Sequence, residues 1–404
     1  MKKYTIDLFR VILYDNNMKT DMMYRPIGNT GMSASVIGLG AEHLDNKPYE
    51  TVEQVINVSL EHGINIIDIF MPGDEVRQNI GKVLAGRRDK VILQGHIGST
   101  DINQQYDISR DRKTIQKYFE NLLRRLNTDY IDFGMLFFID TEQHFKDVFE
   151  GDTLSYALEL KEKGYIRALG ASSHNPVIAR KVVETGLIDL LMFSINPAFD
   201  MADSGTYVLD YLDKDKQMDY KKNLDPVRAG LYRLCEQKGT AITVMKSLGA
   251  GKLLSPQFTP FNKPLSVTQC IHYALTRPAV VSVLLGCSSR EQVMESIHYL
   301  NASEEEKDYS SVIKDYQGSM KGSCVYCSHC LPCPSEIDIA AVNRYLDIAL
   351  LDEKNIPPSI TSHYHALEHH GLECTACGSC EDRCPFSVPV IQNMKKAAGL
   401  FGRL

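Results

Sequence analysis

The chain has 404 residues, 44% of them hydrophobic and 24% charged, and a formal net charge of -7 at pH 7. That length allows a barrel-sized domain with a smaller one beside it, and the composition is that of a soluble globular protein. The acidic balance disfavours nucleic-acid binding, which depends on phosphate neutralisation by Lys and Arg, and no apolar run approaches the roughly 20 residues that cross a bilayer.

Residues 1–23 precede the first coherent pattern and are read as an N-terminal extension with no assigned function. Asp7 and Arg10 interrupt their apolar stretch and no small-residue cleavage site follows, which argues against a signal peptide and for a cytoplasmic protein. From Tyr24 a rhythm begins: a short apolar run, a polar junction, then an amphipathic stretch of helical period. The apolar runs fall at 35–40, 64–70, 90–98, 130–138, 166–173, 188–196, 240–247 and 280–288. Continuous apolar runs suit strands buried on both faces of a parallel sheet. Eight strand–helix units imply an α/β fold, a (β/α)8 TIM barrel over 24–310. A doubly wound open sheet is the alternative, but its glycine-rich turn is missing after the first strand. Residues 198–226 form a long polar insertion after the sixth strand, read as a lid, a substrate wall or a solvated loop.

The rhythm stops near Ala302. Residues 303–317 read as one charged linking helix, and 311–404 as a small, mainly helical domain with an amphipathic helix at 338–351. Eight of the eleven cysteines lie there in two runs. Clustered cysteines in a cytosolic chain read as metal ligands rather than disulfides. The second run, Cys374, Cys377, Cys380 and Cys384 before Pro385, has the C-x2-C-x2-C-x3-C-P spacing of bacterial ferredoxins. The first run, Cys324, Cys327, Cys330 and Cys333 before Pro334, differs by a last gap of two residues. In two-cluster proteins the fourth cysteine ligates the other cluster. By that analogy Cys324, Cys327, Cys330 and Cys384 hold one [4Fe-4S] cluster, and Cys374, Cys377, Cys380 and Cys333 hold another. Zinc also uses C-x2-C pairs, but not two runs of three with a proline-flanked fourth. Cys235, Cys270 and Cys287 lie singly in apolar contexts and read as small buried residues. His363, His365, His369 and His370 form a histidine-rich patch, read as a solvated segment rather than a metal site.

Several stretches of the barrel region carry a family resemblance: YRPIGNTGMSASVIGLG (24–40), GINIID (63–68), TDYID (128–132), IRALGASS (166–173) and GCSSREQ (286–292). With these the sequence resembles the aldo-keto reductase family, and its C-terminal part looks like the branch with a ferredoxin-type domain. The resemblance implies NADP(H) chemistry through an Asp, Tyr, Lys and His tetrad. Asp68 matches the aspartate. The tyrosine position falls near Pro72 and Gly73, the lysine position is His96, and the histidine position is Phe137. Met245 and Met192 replace the stacking tyrosine and the glutamine. The loops Leu248–Lys252 and Gly286–Ser289 match in part, and Leu248, Gly251, Gly286, Ser288 and Gln292 are the expected contacts of a dinucleotide phosphate.

Asp68, His96, Glu42, His43, His174, Asn196 and Lys246 fall at or just past the C-terminal ends of the expected strands, where a barrel has its mouth. Asp68 and His96 follow adjacent strands, so a carboxylate–imidazole pair for general acid/base work is expected. His43, His174 and Lys246 are weaker catalytic candidates. The sequence is therefore read as an iron–sulfur oxidoreductase of an anaerobe, passing electrons between a ferredoxin or flavodoxin and a small-molecule substrate. The alternatives are an electron-transfer or docking subunit with a non-catalytic barrel, and a non-redox lyase with structural clusters.

Overall fold

The structure, a computed structural model, describes residues 21–102, 105–202, 224–314, 322, 324, 326–350, 353, 354, 356 and 358–402. Most of the N-terminal extension, residues 203–223 of the long insertion and residues 315–317 of the linking segment lie outside them. An antiparallel hairpin, β1 (Tyr24–Pro26) and β2 (Ser33–Ser35), comes first. The strands β3 (Ile37–Gly40), β4 (Ile66–Ile69) and β5 (Ile92–Ile97) follow. A second hairpin, β6 (Ser99–Ile102) and β7 (Gln105–Ile108), leads to β8 (Ile131–Leu136), β9 (Ile166–Ser173), β10 (Leu190–Ser194), β11 (Ala241–Met245) and β12 (Val280–Leu285).

Strands β3, β4, β5, β8, β9, β10, β11 and β12 close one barrel, with parallel pairing throughout. Each coincides with one of the expected apolar runs. Helices follow every strand, beginning at Tyr49, Asp74, Arg112, Glu142, Pro176, Pro226, Val267 and Arg290. Several start on side-chain caps that satisfy first-turn N–H groups, as Asp111, Asn175, Ser266 and Ser289 do.

The alternation of side chains along each strand separates two apolar cores. Ile66, Ile92, Phe133, Met135, Ala168, Leu190, Met192 and Leu284 point inward and pack on one another. Residues one step out of phase, such as Ile67, Leu93, Leu191 and Val283, pack against the helices. Gly170 is required by this inner packing: a Cβ there would overlap the Met135 sulfur. The β1–β2 hairpin seals the N-terminal end of the barrel with Ile27 and Ala34, and Arg25 ties it down by donating to the carbonyls of Leu275 and Val280 at 3.0 and 2.6 Å.

The linking segment is not one helix. It forms Glu304–Lys307 and Ser310–Lys314, broken where Asp308 accepts from Ser310 N–H at 2.8 Å and Tyr309 turns fully inward. The ends of the long insertion meet: Asp225 N–H donates to the Asp200 carbonyl at 2.7 Å, beside the short helix Pro197–Asp200. In the C-terminal region the helices Ile339–Ala349 and Val390–Phe401 pack together, joined by an Asn393 to Asn343 hydrogen bond of 2.7 Å. This region is seated on the outer side of the barrel helices Pro226–Lys238 and Val267–Leu275. Arg277, just past the second, lies 5.4 Å from the Tyr326 ring, and His363 lies 3.8 Å from Glu236. No helix among the described residues is long and apolar enough to cross a membrane.

His272 sits within that packing, 8% exposed and 3.3 Å from the Tyr299 hydroxyl. Burial, helped by Lys307 and Arg277, pushes its imidazole down to about 4. An unfolded histidine titrates near 6.5. Between those two values the unfolded chain binds more protons than the folded one, so stability falls as pH drops through that window. The whole window is worth about 3 kcal/mol for this side chain. A His272→Gln variant is expected to show a flatter dependence of the unfolding midpoint on pH between about 6.5 and 4. An unchanged slope would count against a buried neutral imidazole.

Candidate functional site

Residues two apart on one strand share a face, so Ile66 and Asp68 both point inward, as do Ile92, Gln94 and His96. The register pairs Asp68 with Gln94 across β4 and β5. The Asp68 carboxylate receives two contacts on one oxygen: His96 Nε2 at 2.8 Å and Gln94 Nε2 at 2.9 Å. All three side chains are buried, at 2%, 3% and 0% exposure. His96 Nδ1 has no protein partner. Phe137 stands edge-on to His96 at 5.2 Å and stacks on Phe70 at 6.0 Å, and Tyr106 of the β6–β7 hairpin closes on Phe70 at 5.6 Å. That hairpin is a wall of the mouth that no apolar run announced.

A second histidine–carboxylate pair lies beside the first. His174 Nδ1 is 3.0 Å from Asp140 Oδ2, while His174 N–H and Ser173 Oγ donate to Asp140 Oδ1 at 2.6 and 3.1 Å. The rings of Phe137 and Phe138 connect the two pairs, with Phe138 5.9 Å from Phe137 and 5.2 Å from His174. His43 is exposed instead, its ring lying flat on Gly286, where any side chain would overlap it. Glu42 is exposed next to it. Lys246 is half-buried with φ of 58°, and its carbonyl accepts from Asn196 at 2.8 Å. Of the expected candidates, then, Asp68 joins His96, and His174 joins a carboxylate that sequence reading passed over.

The expected dinucleotide contacts fall into two tight loops. Gly249, Ala250 and Gly251 all have positive φ, and Leu248 is half-buried behind them. Ser288 donates through both N–H and hydroxyl to Gln292 Oε1, at 2.8 and 3.2 Å, so this loop satisfies itself.

The cysteine region is built from two matching units. Around the second cysteine of each run the backbone adopts positive φ on both sides: Tyr326 at 59° and Ser328 at 61°, Ala376 at 53° and Gly378 at 84°. Three residues after each fourth cysteine it does so again, at Glu336 (56°) and Ser387 (51°), where an N–H returns to the Cys333 or Cys384 carbonyl at 2.9 or 3.3 Å. A helix begins six residues after each fourth cysteine, at Ile339 and Val390. Left-handed conformations cost a non-glycine residue about 1–2 kcal/mol, so their repetition marks a shape that both loops are built to hold. One cavity is lined by Cys333, Cys374, Cys377 and Cys380, with Pro334, Ile337, Val390 and Met394 as apolar walls. Cys327 and Cys330 are buried, and Cys384 is close enough to both to act on their charge. Burial pushes both of these thiols up to about 12, whereas hydrogen bonds from Ser379 lower that of exposed Cys377. Among the described residues no three His, Cys, Asp or Glu side chains already stand at metal-ligand spacing. A sulfur-only donor set on glycine- and proline-marked turns, facing an apolar cavity, fits the chemistry of an iron–sulfur cluster. The histidines of the nearby patch turn to protein partners: Glu236 for His363, the Phe401 carbonyl for His365, and Glu373 for both His369 and His370.

Residues 36–265 match the aldo/keto reductase family. The chain belongs to that family. The oxidoreductase YqkF of Bacillus subtilis (strain 168) is 28% identical over 296 residues, which cover 70% of this chain and 92% of that protein. L-galactose dehydrogenase of Arabidopsis thaliana is 26% identical over 310 residues, covering 69% and 88%. The fold is that of an aldo-keto reductase from Bacillus halodurans, solved in its holo form, with a TM-score of 0.56 at 22% identity over 74% of this chain and 98% of the other. This aldo-keto reductase is an oxidoreductase. The family match ends at residue 265, well before Cys324.

In this family member His96, at the position of the implied lysine, bonds Asp68 directly, and Phe137, at that of the implied histidine, packs edge-on against it. Sequence reading missed Gln94, Asp140 and the Phe70–Phe137–Phe138 ladder. Gln94 was findable as the inward position two before His96, and Asp140 as the first acid after β8. With the Asp68–His96 contact at 2.8 Å, Asp68→Ala and His96→Ala are each expected to cost about 1–3 kcal/mol of stability. The double variant is expected to cost about 0.5–3 kcal/mol less than their sum. Additive losses in denaturant unfolding would show that the pair does not interact.

Proposed function

We propose that this aldo-keto reductase works by one-electron transfer, with its C-terminal cysteines holding two [4Fe-4S] clusters that serve a small-molecule acceptor at the barrel mouth. The observation that carries the reading is the cavity shared by Cys333, Cys374, Cys377 and Cys380, which come from two runs 40 residues apart. Cys324, Cys327, Cys330 and Cys384 make the other set, in the crossed arrangement of two-cluster ferredoxins. Such clusters supply one electron at a time at low potential.

The residues of the barrel supply the rest. Asp68 and Gln94 fix the His96 ring, and Nδ1 is the ring nitrogen left to exchange a proton with substrate. Asp140 orients His174 in the same way beside it. Phe70, Phe137 and Phe138 exclude water around both imidazoles. Each electron delivered is thus matched by a proton held at a buried histidine. Without the family's tyrosine acid, hydride transfer to a carbonyl lacks its usual proton donor. An external ferredoxin or flavodoxin is the electron carrier in this reading.

A second reading keeps the nicotinamide that the family commonly binds, held by Leu248, Gly251, Gly286, Ser288 and Gln292. It is favoured by family membership and by the retained loops.

Protein purified without oxygen is expected to contain about eight irons and eight sulfides, and to give a spin-coupled EPR spectrum on reduction. Cys374→Ala with Cys377→Ala is expected to leave about four irons. Zinc without iron would remove the basis of the proposal. In a separate anaerobic titration, bleaching of the cluster absorbance by NADPH or NADH assigns the nicotinamide as donor. A spectrum unmoved by both, yet bleached by reduced ferredoxin, assigns the carrier.

A further inference from the structure

Arg277 lies between the barrel and the first cysteine run and is 1% exposed. Its guanidinium stacks over the Tyr273 ring at 4.2 Å, donates to the Tyr309 hydroxyl at 3.2 Å and to Thr276 Oγ1 at 3.0 Å, and lies 5.4 Å from the centre of the Tyr326 ring. Tyr326 precedes Cys327 in the first run, and its N–H donates to Cys324 Sγ at 3.4 Å. Burial works against the guanidinium charge, and Tyr273, Tyr309 and the Asp200 carboxylate outweigh it. Tyr273 reaches that carboxylate with a 2.9 Å hydrogen bond. A permanent cation is therefore buried one aromatic ring away from the first run.

The acids nearby are themselves paired. Asp347 accepts from the Tyr326 hydroxyl at 2.6 Å and faces Arg233, while Asp308 is held by His329 at 2.5 Å. The second run has a different setting. Cys377 is exposed, and the charged side chain lining its cavity, Arg383, is half-buried and donates to the Cys330 and Pro332 carbonyls at 2.8 and 2.6 Å.

We infer that Arg277 is a positioning residue for redox potential, biasing the cluster held by Cys324, Cys327, Cys330 and Cys384 toward its reduced form through Tyr326. The inference rests on the cluster reading above. Reduction adds one negative charge to a cluster, and a fixed cation in a medium of low dielectric favours the state with more negative charge. The second set has its own cation in Arg383, which is half-buried and held by backbone carbonyls, so Arg277 acts on one of the two potentials and not on both.

The test is a potentiometric titration followed by EPR on full-length, iron-loaded protein, comparing wild type with Arg277→Met, Arg277→Lys and Asp347→Asn. Arg277→Met is expected to lower one of the two midpoint potentials and leave the other in place, with Arg277→Lys restoring most of the loss. Asp347→Asn, nearer the surface and less disruptive to folding, is expected to raise the same midpoint. Iron-loaded variants whose two midpoints stay fixed, or move together, overturn the role of Arg277 alone. Wild-type protein without iron overturns the cluster reading as well.

Discussion

The arrangement of this molecule depends on one constraint: in a closed parallel barrel, every second side chain points inward and every strand ends at the same rim. Once Ile66 and Ile92 are committed to the inner core, Asp68, Gln94 and His96 have no other direction to face. The carboxylate is then buried, and a buried carboxylate requires partners. The imidazole and the carboxamide supply them from the adjoining strand. The same constraint brings Ser173 and His174 from the end of β9 to Asp140 past the end of β8. The polar constellation follows from the apolar packing beneath it.

Much of the barrel was legible because buried parallel strands are written as continuous apolar runs, and such runs need no knowledge of partners to be seen. The β6–β7 hairpin was not, since Ser99, Thr100, Asp101 and Asp107 are polar and pair only across a turn. The segment 303–317 read as a helix because its composition is helical, but Tyr309 is drawn inward by Arg277 and Asp308 breaks the turn. Asp140 escaped notice for a related reason. It lies past the end of its strand, and its partner comes from a loop 34 residues on.

The cysteine spacing was legible in full, but its geometry was not. The two runs differ by one residue before the fourth cysteine, yet each resumes the same proline turn, the same positive φ and the same six-residue approach to a helix. The difference is absorbed within the segment between Cys330 and Cys333, ahead of the shared turn. Spacing counts residues, whereas the backbone repeats a conformation, and only the latter reveals that the two units are equivalent. The unequal surroundings of the two runs, one against Arg277 and Tyr309 and the other toward solvent, depend on contacts with barrel helices that lie far away in sequence.

The hairpin at the N-terminal end of the barrel has a consequence for traffic. Ile27 and Ala34 stop that end as a cork stops a bottle, and the inner core fills the shaft above it. Among the described residues the barrel opens at the end opposite the cork, so in the proposed reading whatever binds beside the Asp68–His96 pair leaves by the route through which it came. Departure and arrival then compete for the same opening, and the β6–β7 wall beside it stands where the queue forms.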